Sequence, residues 1–536
     1  MRQSRSTPMV SGFCRRGALL LVLLTVAVFA TGEASAQSRQ ETLILARSMS
    51  DYITNDPSRT FEFTSQIIDK AAYDTLVTVE APDFAKILPN LATEWKISSD
   101  ALSYTFTLRK GAKFASGNPV TAQDVRFSIR RLKHLKDQPS FFMDPVKDVE
   151  VVNDSTVRII LTAPDASFLA ALACVPCGVI DSKVVMSKGG TDAEDAKEKD
   201  KATEWLNTNS AGSGPYKLTA FTREVEAVLE RNPNYWGPKP HFAKVIFKHV
   251  ASGTTQREMV ERGEADVAHD FDADLVAKIK EGPKIKLLSA PSLNLVYLAL
   301  NNNAEVSKQL GDKRVRQAIA YAVDYDGIVK GLLRGGAEQP PGNIPIGILG
   351  VDKTMARKRD VAQAKKLLAE AGHPNGFEMK LNFWTRPLQG VPNEPLAAKI
   401  QADLAEVGIK VTLEPKEFSV VIPEFRAAKV QAIIAEWTPD FLDPHPWADA
   451  FYRKGGPATK RVAYDNPRVN DLIDRGVKEV DPKKRAEIYK EIQRLALEDV
   501  PYVPLVQPKL FVGINPAIKG YVQHPIWFVT LAKLSR

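Results

Sequence analysis

The chain has 536 residues, 44% hydrophobic and 25% charged, an ordinary globular balance with material for more than one core. Its formal charge is +8; without the first 36 residues, which hold four Arg and one Glu, 68 basic minus 63 acidic side chains leave +5, spread along the chain. No long basic run occurs, so nucleic-acid binding has no support beyond this mild excess.

Arg2, Arg5, Arg15 and Arg16 precede an apolar run over 18–30, and Ala34-Ser35-Ala36 supplies small residues at a cleavage site. This predicts a secretory signal peptide over 1–36, with the mature chain starting near Gln37 in the periplasm. The run is too short for a comfortable permanent span, and Cys14 lacks the small residue ahead of it that lipid modification needs. Arg15-Arg16 is a partial twin-arginine pattern that also suits a general secretion signal, so the export route stays open. Only Cys174 and Cys177 remain after cleavage, and for an exported protein a local disulfide between them is the better reading than a redox or zinc pair.

A strand at 42–46 leads into a polar loop over 48–59, and 61–77 reads as a helix. The alternation of 103–108 predicts a half-exposed strand, Thr121 is placed to cap a helix, and strands follow at 151–152 and 156–161. The charged run 188–201 reads as a solvated loop without a ligand. Residues 212–216 are a Gly-rich turn before a strand, 244–248 a strand and 254–263 a helix; the acidic stretch 266–274, with His269, reads as a solvated turn rather than a metal site. The apolar strand 293–300 marks a first crossing into a second lobe. There Asp360 and Gly372 bracket one helix, 396–407 with Gly408 forms another before a strand at 409–413, and Asp481-Pro482 opens a third. Residues 500–506 return, and 507–536 should add strands to the first lobe.

Between those helices lies Trp437-Thr438-Pro439-Asp440-Phe441-Leu442-Asp443-Pro444, a bend after the apolar strand 432–435 that Pro439 and Pro444 terminate. Ligands of α/β folds sit outside strand ends, which makes Asp440, with Trp437, a candidate anchor; ordinary turn chemistry is the competing reading. Gly-x-Ser-x-Gly, His-Glu-x-x-His and phosphate-loop motifs are all missing, and the seven His are scattered. Asp440 and Asp443 alone do not make a glycosidase. No enzyme activity, cofactor or metal is expected.

Residues 91–95, 104–108, 113–125, 212–216, 232–237, 314–319 and 364–377 together resemble the peptide/nickel class, family 5, of extracytoplasmic solute-binding proteins of ATP-driven importers. One departure is Phe114-Ala115-Ser116-Gly117, where many members have Trp-His-Asp-Gly. The resemblance implies an α/β, two-lobed periplasmic-binding-protein fold with a hinge and an extra subdomain in the first lobe. Its segments would be 37–80, 209–298 and 505–536 for lobe I, 81–208 for the inserted subdomain and 299–504 for lobe II. It further implies that Asp440, in Trp-x-x-Asp, pairs with a ligand ammonium and that Arg386, upstream of Gln401-Ala402-Asp403, holds its carboxylate, with Trp437, Trp384, Tyr52 and Asp443 as further contacts. The expected partners are a di- or oligopeptide and an inner-membrane permease, the protein itself being a monomer. Pro439, Pro444 and Pro446 are unlike the dipeptide binders, so an oligosaccharide, opine or metal chelate stays open as ligand, and a secreted hydrolase as the reading from another class.

Overall fold

The computed structural model describes residues 39–80, 83–385, 388, 390–438, 440–527 and 529–536. The signal-peptide segment and Arg386 lie outside the described residues. Apolar runs that alternate little form the centre of a long mixed sheet, because strands covered on both faces need side chains that bury both ways. Leu295–Leu300 is such a strand and is buried at every position.

In the second lobe, Lys410–Lys416, Glu378–Trp384, Ala432–Trp437 and Leu295–Leu300 lie side by side; in the first, Val267–Phe271, Thr42–Arg47, Lys244–His249, Glu226–Arg231 and Tyr216–Thr222 do so. The 13-residue strand Tyr502–Ile514 joins the two sets: its start pairs with Leu295–Leu300 and its end with Val267–Phe271. The strand Tyr502–Ile514 thus continues past residue 506 and pairs with both sets.

A separate antiparallel sheet of Ala92–Ile97, Ser103–Leu108, Thr156–Leu161 and Val146–Asn153 forms the extra subdomain, with Ala122–Leu135 packed on it. The alternation of 103–108 puts Tyr104, Phe106 and Leu108 inside, and Thr121 and Asp124 close a capping box at the helix start. Buried side chains of this subdomain and of the second lobe form one continuous apolar cluster, so the lobes are in contact. The backbone N–H of Ala166 reaches the carbonyl of Val477 at 2.7 Å, and Phe142 meets Phe441 edge-on at 5.7 Å.

Four expectations are corrected here. The helix expected over 61–77 is Phe63–Ala72, and the chain then enters the strand Val77–Glu80. The charged run 188–201 is not all solvated, since Asp200 shares the fully buried Arg131 with Asp56. The acidic stretch 266–274 is no solvated turn but contains the strand Val267–Phe271. Within it, Asp266 is buried against Arg39 and Arg536, tying the two ends of the described chain together, and His269 is hydrogen-bonded to Tyr521 at 3.0 Å. Of the strands expected over 507–536, the end of Tyr502–Ile514 joins the first lobe, but among the described residues beyond Ile514 no further strand forms, 519 and 535 making an isolated bridge.

Candidate functional site

The strands Glu378–Trp384 and Lys410–Lys416 are parallel, and Ala432–Trp437 is parallel to the first of them. Their carboxyl ends therefore share one edge of the second lobe, the place where open α/β sheets bind ligands. Trp384 and Trp437 are the last residues of two of these strands. Both line a cavity of about 580 Å³ whose other wall comes from the first lobe and its extra subdomain. That volume is within the range of small-molecule sites.

The first-lobe wall is built on the start of the helix Phe63–Ala72. Asp51 accepts a hydrogen bond from the Thr64 backbone N–H at 3.1 Å and another from the Thr64 hydroxyl, so its charge serves the helix N-terminus. Glu62 accepts from the Phe61 N–H at 3.3 Å. Burial, and next the negative charges of Asp51 and Asp137, raise the pKa of Glu62 against the opposing effect of its backbone hydrogen bonds. Phe61 and Phe142 add aromatic surface. In the second-lobe wall, Trp384 meets Phe418 edge-on at 5.1 Å and Trp437 meets Phe451 at 5.2 Å.

Asp440 faces this cavity from the bend after the strand. Its carboxyl makes no hydrogen bond or ion pair to a described residue, and loss of water around it pushes its pKa up to about 6. A carboxylate left in such a place without a cation is costly. Near neutral pH it is ready to take a cationic group.

Asp443, three residues on, is elsewhere. It caps the helix Pro444–Tyr452 by accepting from the His445 N–H at 2.8 Å, and it holds Arg485 through two bonds of 2.5 and 2.7 Å. It lines a different cavity, of about 170 Å³, so its expected ligand contact is corrected to a structural one. Tyr52 is not among the residues lining this cavity: it is buried, packs its ring tilted against Phe221 at 4.1 Å, and directs its hydroxyl to Asn207 at 3.4 Å. The ligand-binding expectation for Arg386 falls outside the described residues.

The expected disulfide is likewise corrected. Cys174 and Cys177 are buried free thiols. Cys177 directs its S–H to the carbonyl of Ala171 at 3.3 Å, and Cys174 lies 3.8 Å from the carbonyl of Asp440 across the lobe boundary. Burial raises both thiol pKa values, which keeps them protonated and unreactive.

Two arginines of this cavity gave no sequence signal, Arg426 at the end of the helix Phe418–Arg426 and Arg461 in the short helix Thr459–Val462. The guanidinium of Arg461 lies 5.6 Å from the ring centre of Trp437 and 5.4 Å from that of Phe425. Burial first, and the like charge of Arg426 after it, lower its pKa. The site thus offers a desolvated carboxyl, two guanidinium groups and aromatic walls. No group of three or more His, Cys, Asp or Glu able to hold a metal occurs among the described residues.

Residues 86–459 match the family described as bacterial extracellular solute-binding proteins, family 5 middle. The chain belongs to this family. Family 5 is a solute-binding family, not an enzymatic one, and its two-lobed α/β fold is the fold described above. The probable D,D-dipeptide-binding periplasmic protein of Escherichia coli is 30% identical over 515 residues, 95% of this chain and 96% of its own. Heme-binding protein A of Haemophilus influenzae is 28% identical over 466 residues, 82% and 83% of the two chains. Among solved family 5 structures, the periplasmic binding protein DppA of Helicobacter pylori in complex with the peptide STSA is 26% identical. It has a TM-score of 0.72 and covers 94% of this chain and 99% of its own. The Escherichia coli relative is a periplasmic protein by name, and no described helix here is long and apolar enough to cross a membrane.

Proposed function

We propose that the protein is the periplasmic binding subunit of an ATP-driven importer and captures a small zwitterionic peptide between its lobes. The observation that carries this reading is the Asp440 carboxyl, placed in the interlobe cavity without a protein cation among the described residues. An α-ammonium is a compact donor that can restore to such a carboxylate the hydrogen bonds it lost with water. The dipeptide-binding relative and the peptide-bound neighbour support the same ligand class. Phe142 packs on the Phe441 ring and Cys174 lies against the Asp440 carbonyl, so a ligand held between the lobes would be shielded from solvent on that side.

In this reading the signal peptide is cleaved, the mature protein acts as a monomer, and it delivers its ligand to an inner-membrane permease without altering it. Nucleic acid has no part. Calorimetry with a panel of di- and tripeptides tests the reading: stoichiometric binding is expected. Asp440→Asn is expected to weaken the best peptide by about 30-fold or more, the usual scale for removing one partner of a desolvated charge pair. Unchanged affinity in that variant would remove the ammonium-anchor reading. Mass spectrometry of the ligand after incubation should return it intact, and cleaved peptide would point to the hydrolase instead.

A further inference from the structure

The cavity is lined by two cations, Arg426 and Arg461, and by the acids Asp51, Glu62, Glu436 and Asp440. On neighbouring second-lobe elements the pattern is pairing: Lys416 reaches Glu424 at 2.9 Å, Arg453 reaches Asp474 at 2.6 Å, and Arg485 is held by Asp443. Arg461 and Arg426 differ. Neither makes a hydrogen bond or an ion pair with any described residue, although both line the cavity. Asp51 and Glu62 on the facing wall are engaged with the backbone around the first-lobe helix.

We propose that Arg461 is the seat of the ligand's carboxylate, with Arg426 as a second cation at the same end of the cavity. This rests on the peptide reading above and names a specificity-determining residue for it. The geometry gives three reasons. First, the guanidinium of Arg461 is held near the aromatic rings of Trp437 and Phe425, which fixes the group while leaving N–H donors for a planar, two-pronged acceptor. Second, Arg426 is close enough to repel it, and two guanidinium groups sharing a partly dried cavity favour an anion between or beside them. Third, Arg461 lies against the ring of Trp437 and Asp440 lines the same cavity, so opposite charges face one space. An ammonium and a carboxylate of one short peptide can then be read together. Among the remaining walls, Phe61, Phe142, Trp384, Phe418 and Ile422 offer apolar surface that suits an uncharged or aromatic side chain.

The test uses the mature protein and three probes: L-alanyl-L-phenylalanine, its C-terminal amide and its N-acetyl form. In the unaltered protein the amide should bind about 10–100-fold more weakly than the free acid, the scale for leaving a charged partner unpaired. In Arg461→Met that preference should collapse to within about threefold, while the penalty for N-acetylation, which reports on Asp440, is retained. Arg461→Lys, which keeps the charge and loses the fork, should be intermediate; it carries the test alone if thermal melting shows that the methionine variant does not fold. Equal binding of acid and amide by the unaltered protein overturns the carboxylate seat and leaves the peptide reading standing. Loss of the preference in Arg386→Met with Arg461→Met unaffected assigns the carboxylate to Arg386 and overturns the proposal. Binding of none of the three probes, nor of any member of the di- and tripeptide panel, at millimolar concentration overturns the peptide reading and the proposal with it.

Discussion

Asp440 and Asp443 stand three residues apart on one bend and have opposite fates. Asp443 is fully engaged: it caps a helix, neutralises a buried arginine and leaves nothing for a ligand. Asp440 is engaged by nothing among the described residues, and its carboxyl holds protons more tightly than usual because water has been removed and no cation added. Partnership, rather than residue type, separates the two acids. A fold that leaves Asp440 unpaired gives up stability at a place where a ligand can return it.

The largest expected effect would come from Asp443→Ala. Arg485 would be left buried without its counter-charge, and the helix would lose its cap, so urea unfolding should show a loss of about 3–5 kcal/mol. A loss near zero would place Asp443 with the ligand groups after all. Asp440→Asn should do the reverse in the ligand-free protein and stabilise it at pH 7.5 by roughly 1–3 kcal/mol, since each pKa unit is worth about 1.4 kcal/mol.

The sign follows from the folded state binding the proton more tightly than the unfolded chain. The cost of the ionised carboxyl is present above about pH 6, shrinks as the pH falls through 6, and is gone below the ordinary Asp value of 3.8. The gain from Asp440→Asn should therefore vanish near pH 3.5. Peptide affinity should move oppositely, because an ammonium needs the ionised form: below pH 6 it should drop by up to about tenfold per unit, with the Asn variant flat over that range. Titration calorimetry between pH 5 and 8 measures both slopes. The smallest effect is expected for Trp437→Leu, which loses the contacts with Phe451 and Arg461 but no charge partner; about 0.5–1.5 kcal/mol of stability is at stake, readable by thermal melting.

Features set by neighbouring residues were legible in the sequence. Thr121, Asp360 and Asp481 cap the helices they were expected to cap, because a cap reads only its own next few residues. The strand expected over 432–435 forms as Ala432–Trp437, and Asp440, Trp437 and Trp384, singled out by local pattern and family resemblance, line one cavity. Asp443-Pro444 carries the same cap-then-proline signature as Asp481-Pro482, a helix start that the neighbouring Pro439 and Asp440 disguise as a bend. The rest depended on distance. Asp200 is neutralised 69 residues away by Arg131, and Asp266 bonds to Arg39 across 227 residues, so their charged surroundings read as solvent-facing. Arg461 had no motif at all, and only the fold brings it to Trp437.

The strand Tyr502–Ile514 carries one last consequence. Where it passes from one lobe to the other, Ser292 of the outgoing chain donates its backbone N–H to Pro508 at 3.2 Å, and Gln507 returns a bond to the Ser292 carbonyl at 2.6 Å. Entry to and exit from the second lobe are thus next-door neighbours. That lobe, with its tryptophans, Asp440 and Arg461, is connected like an exchangeable cassette: two splice points would suffice to graft it onto the first lobe of a relative. A change of ligand could then be inherited in one recombination event without disturbing the first-lobe sheet.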